Sequence, residues 1–135
     1  MQRIAQCSCG SVQLVASGAP EAVVVCHCLA CQRRTGAPFG VGAYFPREQV
    51  AVTGTTQAFV RDTEAGNRFH THFCPTCGTS MHWHSDRNPG RIGVAVGAFG
   101  DPSFPAPERS VWEESRHGWI AVPESCQHFP KGRVA

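Results

Sequence analysis

The sequence predicts a mainly β fold: curled antiparallel sheets and one short helix, gathered around cysteine knuckles. Three observations lead there. Short segments of alternating polarity recur along the chain, and 14 glycines and 10 prolines punctuate them. The segments follow one another through turns rather than through helices of βαβ length, so antiparallel pairing is the economical connection. The cysteines fall in tight groups at the ends of these segments, as metal knuckles do.

Taken in order, residues 11–16 (SVQLVA) place Val12 and Leu14 on one face of a strand. Residues 22–25 form a short apolar strand that runs directly into a cysteine group. A helix is expected to start near Leu29 and to stop before Gly36 and Pro38, since proline opposes continuation. Residues 39–45 read as a glycine-spaced strand. Residues 57–60 and 67–73 read as an antiparallel pair, whose turn contains Gly66, able to take positive φ. Residues 80–84 and 92–98 supply further strands, joined by the polar turn at 85–90. Residues 101–107 hold three prolines and form a loop. Beyond it, some structure is expected around 110–114 and 119–122.

Length and charge narrow the function classes. At 135 residues a single domain spanning 1–135 is expected, and 41% apolar content permits a small core. Twelve lysines and arginines face ten acidic residues. This lacks the basic field of a sequence-independent nucleic-acid binder, and no nucleic-acid partner is expected. The opening MQRIAQCSCG has no apolar signal region, and no run reaches membrane-spanning length. No membrane partner and a cytoplasmic location are the expectations. An exposed sheet edge would permit a homodimer.

The cysteines carry the chemistry. Cys7 and Cys9, with Cys74 and Cys77, offer four thiolates from two short knuckles, a complete tetrahedral shell for a structural zinc. Single iron is the rival, because four sulfurs suit it too. Each knuckle is followed by glycine, Gly10 and Gly78, which tolerates the turn that brings backbone N–H groups to the sulfurs. Disulfides are disfavoured: Cys7 with Cys9, and Cys26 with Cys28, are spaced too tightly to bridge. The second group, Cys26, Cys28 and Cys31, offers three sulfurs. Its fourth position is open to water or a substrate thiol, or is closed by His27 or a remote histidine. Metal-free redox chemistry of Cys28 and Cys31 is a further reading. The helix start, Arg33 and Arg34 would help keep these thiolates ionised. Cys126 stands apart and reads as a packing residue.

Other side chains are candidates on chemistry alone. Arg33, Arg34 and Arg61 have the planar donors that pair with carboxylates, against the plainer reading of solvated surface arginines. Phe39, Phe45 and Trp83 suit a pocket wall or the core. His70, His72, His82 and His84 alternate, so each pair lies on one face of a strand, fit for a metal or proton-transfer role or for ordinary hydrogen bonding.

The segments CSCGSVQL (7–14), CHCLACQRRTGAPFG (26–40) and FCPTCGTSMHW (73–83), with a weaker tail PERSVWEESRHGWI (107–120), resemble the glutathione-dependent formaldehyde-activating (GFA) enzyme family. That family includes centromere protein V-like proteins. The resemblance implies Mss4-like curled sheets and two Zn²⁺. A structural zinc falls on Cys7, Cys9, Cys74 and Cys77, and a second, catalytic one on Cys26, Cys28 and Cys31 with an open or movable fourth position. It implies carbon–sulfur lyase activity, the formation and breakdown of S-(hydroxymethyl)glutathione, with a small thiol such as glutathione as partner. The family tail commonly carries a histidine before an aliphatic–aromatic pair, where this chain has Ser110-Val111-Trp112. The competing classes are a zinc-stabilised binding module and a thiol-adduct carrier without catalysis.

Overall fold

The computed structural model describes residues 1–132. Its strands are β1 (Gln2–Gln6), β2 (Gln13–Ser17), β3 (Ala22–Cys26), β4 (Gly40–Pro46), β5 (Val50–Thr53), β6 (Gln57–Asp62), β7 (Arg68–Phe73), β8 (Ser80–Ser85), β9 (Asn88–Ala95), β10 (Arg109–Val111) and β11 (Gln127–His128). The single α-helix, α1, spans Leu29–Thr35 and ends on Gly36 at φ 69°, whose N–H donates to the Gln32 carbonyl. Pro38 follows two residues later, as the stop signal requires.

The chain is mainly β with one short helix, but the sheets are not curled. One sheet has three strands in the order β1-β2-β5; the other has eight, β11-β10-β3-β4-β9-β8-β7-β6. Both are open, with β6 and β11 at free ends of the larger. Nor is the larger sheet purely antiparallel: β10 runs parallel to both β3 and β11. The Mss4-like curled arrangement is therefore corrected. Curling and closure require repeated bulges or bends. Here the register shifts only near His72/Phe73 and Trp83/Ser85. Gly42 and Gly93 instead leave room for the ring of Trp83.

Alternation works as the sequence implies. Val12, Leu14 and Ala16 are fully buried, whereas Gln13 and Ser17 are exposed. One apolar cluster joins Leu14 of β2 to Phe45 of β4, Met81 of β8, and Ile92 and Val94 of β9, with Cys7 and Cys74 inside it. Burying a side chain such as Leu14 contributes roughly 1.5–3 kcal/mol. One cysteine of each knuckle, Cys7 and Cys74, is thus part of the core's own packing, whereas Cys9 and Cys77 are exposed.

Several boundaries differ from expectation. The polar turn at 85–90 is shorter, because Ser85 pairs with Asn88 and β9 already begins there. β1, β5 and β11 were not anticipated, and 119–122 forms no strand. The 101–107 segment is a loop, and β10 with a short 3-10 turn occupies 109–115. No helix among the described residues is long and apolar enough to cross a membrane.

Candidate metal and thiol site

Two short knuckles build the four-sulfur cluster. Each turns through a glycine in the left-handed region, Gly10 and Gly78, both at φ 80°. The Gly10 N–H donates to the Cys7 carbonyl and the Gly78 N–H to the Cys74 carbonyl, which closes each turn. Cys7 and Cys9 sulfurs lie 3.7 Å apart, as do Cys9 and Cys74, across 65 residues of chain. A zinc–sulfur bond of about 2.3 Å places tetrahedral sulfurs about 3.8 Å apart. The donor set fits a tetrahedral four-sulfur ion. Cys77 completes the group, with all ligand atoms within 4.8 Å of one another.

The surroundings favour thiolates. The Thr79 hydroxyl and N–H hold the Cys77 thiol down to about 5. The Ser11 hydroxyl, then the Cys77 N–H, bring Cys74 down to about 7. Ser11 Oγ sits 3.0 Å from Cys9 Sγ and 3.3 Å from Cys74 Sγ, and Val12 N–H donates to Cys7 Sγ at 3.3 Å. Hydrogen bonds of this kind spread the charge of an all-thiolate site. All eight cysteines are free, and Cys126 is a buried packing residue whose thiol donates to the Pro107 carbonyl.

Cys26, Cys28 and Cys31 lie where β3 passes into α1, again within 4.8 Å of one another. Cys28 is the helix N-cap, its sulfur accepting from the Cys31 N–H at 3.3 Å. Hydrogen bonds from the Cys26 and Cys31 thiols hold Cys28 far below the ordinary thiol range, helped by the Cys31 N–H and the charge of Arg61. The same contact with Cys28 pushes Cys26 upward.

His27 does not complete this shell. It is fully buried, and its Nε2 lies 3.0 Å from Ser110 Oγ. Ser110 gives its one proton to Glu113 Oε2 at 2.5 Å, so His27 donates from Nε2 and its buried Nδ1 accepts nothing. Glu113 is also bonded by His128 Nδ1 at 2.8 Å. Gln32 of α1 donates to the carbonyls of His27 and Ser115. The position where a family-like tail would carry histidine therefore anchors the cysteine loop instead. Ser110 is marked in the sequence only as a departure from the family tail, and Glu113 not at all; pairing of β10 with β3 brings them there.

The trio opens on a cavity of about 870 Å³ lined also by Arg34, Arg61, Tyr44, Trp83 and Trp112. Arg34 stacks over the Trp83 ring at 4.3 Å and Arg61 over Phe69 at 4.9 Å. Trp83 donates from Nε1 to Tyr44 Oη at 3.1 Å. The indole lies against Gly42 and Gly93, where a Cβ would stand 2.6 Å and 2.3 Å from it. Arg33, by contrast, is exposed and lines an adjoining cavity of about 540 Å³. Phe45 belongs to the core, and Phe39 packs 6.2 Å from the His27 ring. Trp112 is the one non-glycine residue at positive φ among those described, 58°, and its N–H donates to the Lys131 carbonyl. Strained backbone on a cavity wall is a mark of functional shaping.

The model of the glutathione-dependent formaldehyde-activating enzyme family matches residues 2–115. The chain belongs to that family. The match takes in both cysteine clusters and ends at the last residue of the 3-10 turn after β10. No curated protein matches the chain. A crystal structure of a Rhodobacter sphaeroides protein is similar in fold, with a TM-score of 0.53 and 24% identity over 70% of this chain and 85% of that one. Family membership and the sulfur clusters together give this GFA-family chain a general thiol- and metal-binding character. A third ligand-capable group, His70, His84 and Asp86, lies on β7, β8 and the turn from β8 to β9.

Proposed function

We propose that the chain forms and breaks the carbon–sulfur bond of a thiol–aldehyde adduct of the S-(hydroxymethyl)glutathione type, at Cys26, Cys28 and Cys31. One observation carries the reading: three sulfurs line a roomy cavity, and no fourth protein ligand joins them among the described residues. In that reading Zn²⁺ is held by this trio, and a second, structural Zn²⁺ by Cys7, Cys9, Cys74 and Cys77. Bound zinc would supply Lewis acidity and favour the ionised form of a substrate thiol.

The reaction balances without a redox partner. In breakdown the adduct's hydroxyl loses its proton, the carbonyl bond forms, and the carbon–sulfur electron pair leaves with the thiolate. In formation the steps reverse. Since the addition needs little covalent help, the protein's contribution is to position the partners. Arg34 and Arg61 flank the trio and offer planar donors to the carboxylates of a peptide-like thiol. Arg33 guides the same charge from the adjoining cavity. Trp83 stacks against Arg34, and Tyr44 holds the indole in place through its hydrogen bond.

Exchange between glutathione with ¹³C-formaldehyde and its adduct, followed by NMR, tests this. Zinc-loaded protein is expected to accelerate exchange, and Cys28→Ser to cut the acceleration by about 100-fold or more. Arg34→Ala is expected to weaken substrate binding more than turnover. Exchange at the same rate with and without the zinc-loaded protein would overturn the lyase reading.

A further inference from the structure

Four histidines on β7 and β8 form a group on the sheet face opposite the thiol cavity. His70 pairs across the strands with His84, and His72 with His82. The intervening residues Phe69, Trp83 and Ser85 line the cavity, so strand alternation turns the imidazoles the other way. The rings stack, His70 on His84 at 4.5 Å and His72 on His82 at 4.5 Å.

The four are not equivalent. His72 Nδ1 is taken by Thr56 Oγ1 at 3.0 Å, and His82 is 4% exposed. His70 Nε2 lies 2.7 Å from Asp86 Oδ1 at the hairpin turn. The Asp86 N–H donates to the Arg68 carbonyl, which fixes the carboxylate against β7. His84 Nδ1 is buried and bonded to nothing. Stacking and the Asp86 bond thus satisfy His70 and leave His84 with an unused nitrogen. A buried polar atom without a partner costs free energy that a ligand would recover.

The geometry points to a divalent transition-metal site at His70, His84 and Asp86, distinct from both sulfur clusters. Two imidazoles and a carboxylate suit Zn²⁺, Ni²⁺ or Co²⁺ rather than the hard ions Mg²⁺ and Ca²⁺. The ligand atoms already lie within 4.8 Å of one another. A tetrahedral ion at about 2.0–2.1 Å from its ligands spaces them about 3.4 Å apart, so binding would turn the stacked His70 and His84 rings until their in-plane nitrogens converge on the ion. The ion would take the place of the contact between His70 Nε2 and Asp86 Oδ1.

The probe is Zn²⁺ alone, titrated into protein whose thiolate clusters are already saturated with zinc. Uptake is read by calorimetry and by the ring-nitrogen resonances of ¹⁵N-histidine. The expected result is one further equivalent that shifts His70 and His84 while His27 and His117 stay in place. The double variant His70→Ala/His84→Ala is expected to lose that equivalent and keep the sulfur-bound zinc. Asp86→Asn, changed only at an exposed turn, should weaken it about tenfold or more, and it serves if the double variant does not fold. Absence of a further equivalent at micromolar zinc, or undiminished uptake by the variants, would overturn the site.

Discussion

At the scale of single residues, Ser110 carries more than its size implies. One hydroxyl accepts from His27 Nε2 and donates to Glu113 Oε2, tying the cysteine loop to the tail. Ser110→Ala leaves both partners in place with no replacement at a fully buried position. The expected loss is about 1–3 kcal/mol in denaturant unfolding of the zinc-loaded protein. Reduced thiol binding should accompany it, because His27 stands between two of the three cavity sulfurs. A neutral result would mean that a water molecule or a side-chain shift replaces the hydroxyl. Motif spacing pointed to Cys26, Cys28 and Cys31 directly, whereas Ser110 showed only as a departure from the family tail: its role exists only once β10 lies beside β3.

At the scale of elements, β4 and β9 are shaped to receive an indole. Neither Gly42 nor Gly93 has a positive φ; each is needed for the space that Trp83 fills. Gly93→Ala would put a methyl within 2.8 Å of ring atoms and drive Trp83 toward the cavity. Overpacking of this kind costs about 1–3 kcal/mol. It should also disturb Arg34, which stacks on the same ring, so thiol binding should weaken in parallel with stability. Calorimetric binding beside thermal melts would check both effects. Unchanged binding in a destabilised variant would show that Trp83 does not set the arginine's position. The glycine spacing of 39–45 was visible in the sequence as a strand signal, whereas its purpose depended on a tryptophan some forty residues away.

At the scale of the whole molecule, the proposed function divides stability from chemistry between the two sulfur clusters. Cys7 and Cys74 sit within the main apolar cluster, so an ion held by the four sulfurs would be tied directly to the core. Cys77→Ser is expected to abolish the cooperative unfolding transition and release one zinc. Cys28→Ser should leave that transition in place. Circular dichroism melts with metal analysis distinguish the two, and similar melts for both variants would refute the division of labour. Strand content, the helix with its glycine stop and both sulfur groups were legible because period, capping and ligand spacing are local signals. Sheet openness was not, since a strand's own residues do not say whether its far edge finds a partner. The parallel pairings of β10 were hidden for the same reason, in three residues with no pattern to read.

The 65 residues between Cys9 and Cys74 also set a timetable for synthesis. At roughly 5–20 residues per second, the first pair of sulfurs emerges about 3–13 seconds before its counterpart is even translated. During that interval a two-coordinate half-site faces the cell's thiols and metal carriers alone. Zinc supply on the ribosome, rather than the final affinity of the completed shell, would then govern how much of each newborn chain reaches its native form.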